Sequence, residues 1–190
     1  MQGLQFRNSA QRGSSRGFSM VEMLAVVAMI GILAALATAS VRKYVAYSKS
    51  TEAGGMFMNI KLQQEAYYTD TQTYLNVSSG LTAAASFYPA NPTPGQAKMN
   101  FAGTGDGQAN WQMLGVKADG PVYLVYACTA GAAGTTPTAT GSDITVASWP
   151  SAAALKPWYV VKARGDLDAD GVNSVFISAS FVNETFSANN

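Results

Sequence analysis

Three carboxylates stand at alternate positions in Asp166-Leu-Asp-Ala-Asp-Gly171, and together they could hold a hard divalent cation through oxygen. Carboxylates alternating ahead of a glycine open a calcium loop, the glycine permitting its sharp turn. The twelfth position of such a loop, which carries a bidentate glutamate, is here Ile177. Backbone carbonyls, Asn173 or water would have to complete the shell. The expected cofactor is calcium, held at Asp166, Asp168, Asp170 and Asn173. The plainer alternative is an acidic, solvated hairpin turn.

Other chemistry is hard to assemble. Histidine is absent, which removes histidine-based nucleophilic catalysis and histidine metal sites together. Asp106, Asp119 and Asp143 stand alone in Gly-rich or polar surroundings, so no enzyme is expected. The single cysteine, Cys128, lies in an apolar run, where a buried and inert thiol is expected and no internal disulfide can form. Arg164-Gly-Asp166 spells a cell-attachment tripeptide by coincidence of short length. Tyr67, Tyr68, Tyr123, Tyr126, Trp158 and Tyr159 read as core and contact residues rather than a ligand box. A net charge of +1 argues against a surface built for nucleic acid.

The remaining ionisable residue of interest is Glu22, and its meaning depends on the element that carries it. From Met23 to Val41 the chain has nineteen consecutive residues without charge. As a helix they would extend roughly 28 Å, near the thickness of a bilayer's hydrocarbon. Leu24, Val26, Val27, Ile30, Ile32, Leu33 and Leu36 surround the axis instead of forming one stripe, the pattern of a helix buried in lipid or in other protein. A carboxylate at the start of such a span costs a few kcal/mol, roughly, if it faces lipid unpaired. The first 17 residues take three of the twelve Lys and Arg (Arg7, Arg12, Arg16) and none of the eleven Asp and Glu. A cleaved secretory signal is also basic and then apolar, but its core is shorter and ends at a small-residue site.

Beyond Val41 apolar residues keep helical spacing through Tyr44, Val45, Met56, Phe57, Ile60 and Leu62, so the helix is expected to continue to about Tyr68. Gly54-Gly55 is its weak point, at roughly 1 kcal/mol per glycine, and a local bend is expected there if anywhere. Residues 75–110, with Pro89, Pro92 and Pro94, read as an extended connection. Strands are predicted over 111–117, 122–129, 144–148, 158–164 and 174–181, with a turn at Ala118-Asp-Gly-Pro121 and a surface loop over 131–141. The fold class is α+β: a long N-terminal helix packed on a C-terminal antiparallel sheet.

Gly17-Phe18-Ser19-Met20-Val21-Glu22, followed by Met23-Leu-Ala-Val-Val-Ala-Met-Ile-Gly-Ile-Leu-Ala-Ala-Leu36, resembles the class III signal of type IV pilins and type II secretion pseudopilins. The resemblance implies cleavage by prepilin peptidase between Gly17 and Phe18, N-methylation of Phe18, and assembly through Glu22 and the Phe18 amine. Gln64-Glu-Ala-Tyr-Tyr-Thr-Asp-Thr-Gln-Thr-Tyr74 also resembles the stretch that ends the long helix in many members. One departure is that no proline precedes Pro89, whereas many major pilins carry one where this chain reads Ala37-Thr-Ala-Ser40.

The implied organisation is a leader over 1–17, a helix over 18–70 that spans the membrane at about 20–41, and a β-rich domain over 71–190. The implied function is a structural subunit, major or minor, of a type IV pilus serving adhesion, motility or DNA uptake. Its partners would be other pilin subunits, prepilin peptidase, inner-membrane assembly machinery and, before assembly, the bilayer. It would begin in the inner membrane and end in an extracellular pilus or a periplasmic pseudopilus. The alternatives are a type II secretion pseudopilin, which the missing proline favours, and a membrane-tethered calcium-dependent binding module that never polymerises.

Overall fold

A computed structural model describes residues 17–147 and 149–189 of the chain. Contacts divide it into two compact units that part between Ser40 and Val41. The expected leader, Gly17 apart, lies outside the described residues.

Helix α1, Met20–Thr71, is unbroken, including at Gly54-Gly55, and ends three residues beyond the expected limit. In the first unit it is long and apolar enough to cross a membrane, with a mean hydropathy of 2.4 over its most apolar window and no residue of that window buried. The hydroxyls in this stretch are satisfied locally. Thr38 Oγ1 donates to the Ala34 and Ala35 carbonyls, and Ser40 Oγ to that of Leu36. Polar side chains that bond back to their own helix need no partner from lipid.

In the second unit α1 buries Ala53, Met56, Phe57, Ile60 and Gln64, positions three or four apart that form one face. That face packs on a four-stranded antiparallel sheet of β1 (Val125–Gly131), β2 (Trp158–Gly165), β3 (Ser174–Ala179) and β4 (Phe186–Ala188), in spatial order β1-β2-β3-β4. Strand residues alternate between two cores. Tyr126, Cys128, Tyr159, Val161, Ala163 and Phe176 join the helix side. Val125, Ala127, Val160, Val175 and Ile177 join an opposite layer with Leu81, Phe87, Ile144 and Val146. Connecting segments therefore cover the sheet face that α1 leaves open.

Cys128 is buried as expected, and burial pushes its thiol up to about 12, opposed by a hydrogen bond from Gln64. Of the six aromatics read as core, Tyr126, Trp158 and Tyr159 are buried, and Tyr67, Tyr68 and Tyr123 are half-buried.

Two predicted strands are not strands. Residues 111–117 belong instead to a short helix, α2 (Gln108–Leu114), and the turn that follows it. Trp111 and Leu114, three apart, are both buried, which is helical and not strand spacing. Gly115, at φ 76° with its N–H on the Gln112 carbonyl, stops the helix. Over 144–147 the chain is irregular. Ile144 and Val146 do alternate inward, onto the outer face of the sheet, but no neighbouring strand pairs with them. Burial of period two arose here without a ladder. The expected connection over 75–110 holds a 3₁₀ turn (Ala84–Ser86) and the start of α2. Strand β4 was not foreseen.

The outer side of β1 is not open. Tyr88 exchanges both backbone hydrogen bonds with Tyr126, and the Val77 and Ser78 N–H groups both donate to the Cys128 carbonyl. The Ser78 hydroxyl and Asn76 side chain accept from the Cys128 and Ala130 N–H groups. The opposite edge is β4, three residues long.

Candidate functional site

Phe18 and Ser19 precede the first turn of α1. The Ser19 carbonyl accepts the Met23 N–H, so Ser19 is the residue that caps the helix. Its Oγ accepts the Glu22 N–H at 3.2 Å, and its own N–H donates to Glu22 Oε2 at 2.8 Å. This reciprocal pair is a capping box, and it satisfies two donors that the start of the helix would otherwise leave unpaired. Glu22 Oε1 has no hydrogen bond among the described residues. The carboxylate is thus held at the N-terminal end of the helix, beside Phe18, with one oxygen uncommitted. The Ser-x-x-Glu spacing was legible in the sequence and would have predicted this role for Ser19. At Gly17 an added Cβ would meet nothing within 4 Å among the described residues, so their packing does not require a glycine there.

In the second unit the polar residues that join α1 to the sheet were not foreseen. Glu52 accepts from the Tyr123 N–H through both oxygens, from the Leu124 N–H and from the Tyr126 hydroxyl, all within 3.0 Å. Lys49 Nζ donates to the Leu167 carbonyl at 2.8 Å and the Gly95 carbonyl at 3.3 Å. The buried Gln64 amide exchanges two hydrogen bonds with Leu75 and donates to Cys128 Sγ. Their only signal was polarity on a face that helical spacing turns inward.

The acidic loop brings Asp166, Asp168 and Asp170 together, one oxygen of each lying within 4.8 Å of the others. Asp166 is buried, while Asp168 and Asp170 are exposed. Asp166 Oδ1 accepts the Asp170 N–H, and its Oδ2 accepts the Gly171 N–H and the Gln96 amide, each at 3.1 Å. Burial raises the Asp166 carboxyl, but hydrogen bonds from Gln96 and the Gly171, Ala169 and Asp170 backbone outweigh it and hold it below the usual value. An all-oxygen set fits calcium in kind, and a carboxylate oxygen that accepts one N–H keeps a lone pair for a cation. The Asn173 carbonyl accepts from the Asn189 amide. Ile177 is buried in β3 and supplies no ligand.

Residues 12–38 match the family model described as the prokaryotic N-terminal methylation motif. The chain is 33% identical to the type II secretion system core protein G of Pseudomonas aeruginosa over 44% of its own length and 59% of that protein's. It is 34% identical to the fimbrial protein EcpC of Eikenella corrodens, over 37% of this chain and 48% of the relative. With the type IV major pilin protein PilA of Myxococcus xanthus it shares 37% identity, over 32% of this chain and 27% of the relative. Over those stretches the chain resembles type IV pilins and type II secretion pseudopilins. It spans between about a quarter and three fifths of the length of these curated relatives. No solved structure matches it. A long apolar N-terminal helix and an antiparallel sheet at the C-terminal end form the pilin-like arrangement seen here.

Proposed function

We propose that this pilin-like chain is a structural subunit, major or minor, of a type IV pilus. It is cut between Gly17 and Phe18 by prepilin peptidase, methylated on Phe18, and assembled with other pilin subunits through Glu22. Before assembly the first unit anchors it in the inner membrane; afterwards it belongs to an extracellular fibre. The observation that carries this reading is Glu22, held at the start of a helix whose residues 23–41 carry no charge, with one carboxylate oxygen unbonded among the described residues. In low dielectric such a carboxylate strongly favours a cationic partner over standing alone. The freed amine of Phe18 on a neighbouring subunit supplies one, and pairing the two fixes axial register. The match of residues 12–38 to the methylation motif supports both the cleavage point and the modified residue.

The test joins mass analysis to mutation. The mature protein is expected to begin at methylated Phe18, and Glu22→Ala is expected to be processed normally yet yield at least 10-fold fewer filaments. A polypeptide beginning elsewhere removes the reading. Unchanged behaviour of Glu22→Ala would leave a membrane-tethered module that does not polymerise.

A type II secretion pseudopilin, ending in a periplasmic fibre, is the second reading. It is favoured by the similarity to core protein G and by the lack of proline before Pro89. Loss of protein export, with surface fibres and motility intact, in a strain lacking this chain would select it.

The acidic loop is proposed to bind calcium through Asp166, Asp168 and Asp170, completed by carbonyls, Asn173 or water. The support is the convergence of the three carboxylates. Millimolar calcium is expected to raise the melting temperature of the second unit by several degrees over chelator, and Asp168→Asn to reduce the rise. Identical melting in both conditions removes calcium.

A further inference from the structure

Lys162 and Arg164 are alternate residues of β2 on the sheet face turned away from α1, and the fold treats them differently. Lys162 is fully buried, and its Nζ donates at 2.6 Å to both the Thr140 carbonyl and Asp143 Oδ1. Arg164 makes no side-chain hydrogen bond among the described residues, and its Nε is buried without a partner. Its guanidinium carbon lies 4.2 Å from the centroid of the Phe87 ring, which is itself buried. A planar cation stacked on a fixed aromatic is held in one orientation before any anion arrives.

The guanidinium lines a cavity of about 370 Å³ together with Thr82, Ser142, Asp143, Asn173 and Asn189. The composition of this cavity limits what it can take. Arg164 supplies its only uncommitted cation, since Lys162 already holds Asp143, and Asp143 is an acidic neighbour of both. A dianion such as phosphate would meet one free cation and one nearby carboxylate. A monoanionic carboxylate matches the planar fork and the single charge. The other groups are hydroxyls and amides, which donate and accept, and Asp143 Oδ2 has no hydrogen bond among the described residues. Such groups satisfy a ligand body that carries several hydroxyls.

We propose that this cavity binds the carboxylate of an acidic sugar, a hexuronate. The terminal nitrogens of Arg164 grip the carboxylate, while Asp143 Oδ2 and the Thr82 and Ser142 hydroxyls read the ring hydroxyls. The site lies wholly within the second unit and does not depend on the filament reading.

The test uses the full chain in detergent micelles and saturation-transfer NMR with D-glucuronate, D-glucose and inorganic phosphate as probes. The ring protons of glucuronate are expected to receive saturation, those of glucose at least 10-fold less, and millimolar phosphate not to compete. Arg164→Met keeps apolar cover over Phe87 and is expected to abolish the signal. Arg164→Lys keeps the charge and stem without the fork and is expected to weaken binding about 10-fold; it decides the matter if the methionine variant fails to fold. Equal transfer to glucose, an undiminished signal in Arg164→Lys, or displacement by phosphate at equal concentration overturns the proposal.

Discussion

Glu52 shows how much one side chain can hold when it sits at a junction. Its carboxylate receives two backbone N–H groups and a hydroxyl from the segment that enters β1, so a single residue of α1 fixes where that strand begins. Removing it would leave the Tyr123 and Leu124 N–H groups and the Tyr126 hydroxyl without their acceptor. Glu52→Ala is therefore expected to destabilise the second unit by about 3 kcal/mol, and Glu52→Gln by about 1 kcal/mol, since one carbonyl oxygen remains. Urea unfolding of residues 41–190 measures both. A loss below about 0.5 kcal/mol for the alanine variant would show that water replaces the carboxylate without cost. At the same scale, Ser19 and Glu22 had already declared themselves by spacing, whereas Glu52 had not. A capping box is written within four consecutive residues, but the groups Glu52 serves lie some seventy positions along the chain.

Among the elements, agreement between sequence and structure followed how local the deciding interaction was. Helix α1 and strands β1 to β3 came through because continuous apolar runs and helical spacing speak for themselves. Residues 111–117 misled because Trp111, Met113, Leu114 and Val116 make a short apolar-rich run that reads as a strand in isolation. The cap at Gly115 and the inward pairing of Trp111 with Leu114 belong to a helix too short to show periodicity. Residues 144–147 misled for the opposite reason. Their alternation was real, but whether such a run joins a sheet depends on a partner, and β2 was already paired on both sides by β1 and β3. The acidic loop was read correctly as a cluster of three carboxylates, yet nothing in the sequence announced its anchor at Gly95. There the N–H reaches the Tyr123 carbonyl, the neighbouring Pro94 carbonyl accepts the Asp166 N–H, and φ is 95°. A side chain at this position would land on the Asp166 backbone. Gly95→Ala is expected to cost at least about 2 kcal/mol, from left-handed strain and the clash together. It should also displace the Asp166 amide resonance in NMR spectra of the unit. A stable variant with unshifted loop signals would contradict that account.

For the molecule as a whole, burial of weak acids sets how it responds to alkali. Burial raises the Cys128 thiol from 9.0 to about 12, and it raises the Tyr126 and Tyr159 phenols, helped by Glu52 and Glu65 respectively. A group whose proton is held more tightly in the folded state contributes its full stability below its unfolded pKa. That contribution is lost as pH rises through the folded value. Stability is therefore expected to fall from about pH 9 upward, with Cys128 giving a slope of at most about 1.4 kcal/mol per pH unit. Lys162 opposes this, because burial lowers its ammonium below 10.5 and the folded state gains as the solution approaches that value. Cys128→Ala should flatten the first part of the decline, between pH 9 and 10, in denaturant titrations of residues 41–190. Equal slopes for the two proteins would mean that the thiol is not what resists ionisation.

The blocked flank of β1 has a consequence for the assembly of subunits proposed above. Unsatisfied strand borders invite indiscriminate cross-β pairing, which grows with local concentration and competes with ordered stacking. Here one border is occupied by residues 76–88 and the other offers only the three positions of β4, too few to template a partner. Growth by backbone zippering is starved at both ends. Whatever order a multimer of this chain possesses has to come from surfaces other than the rims of its sheet.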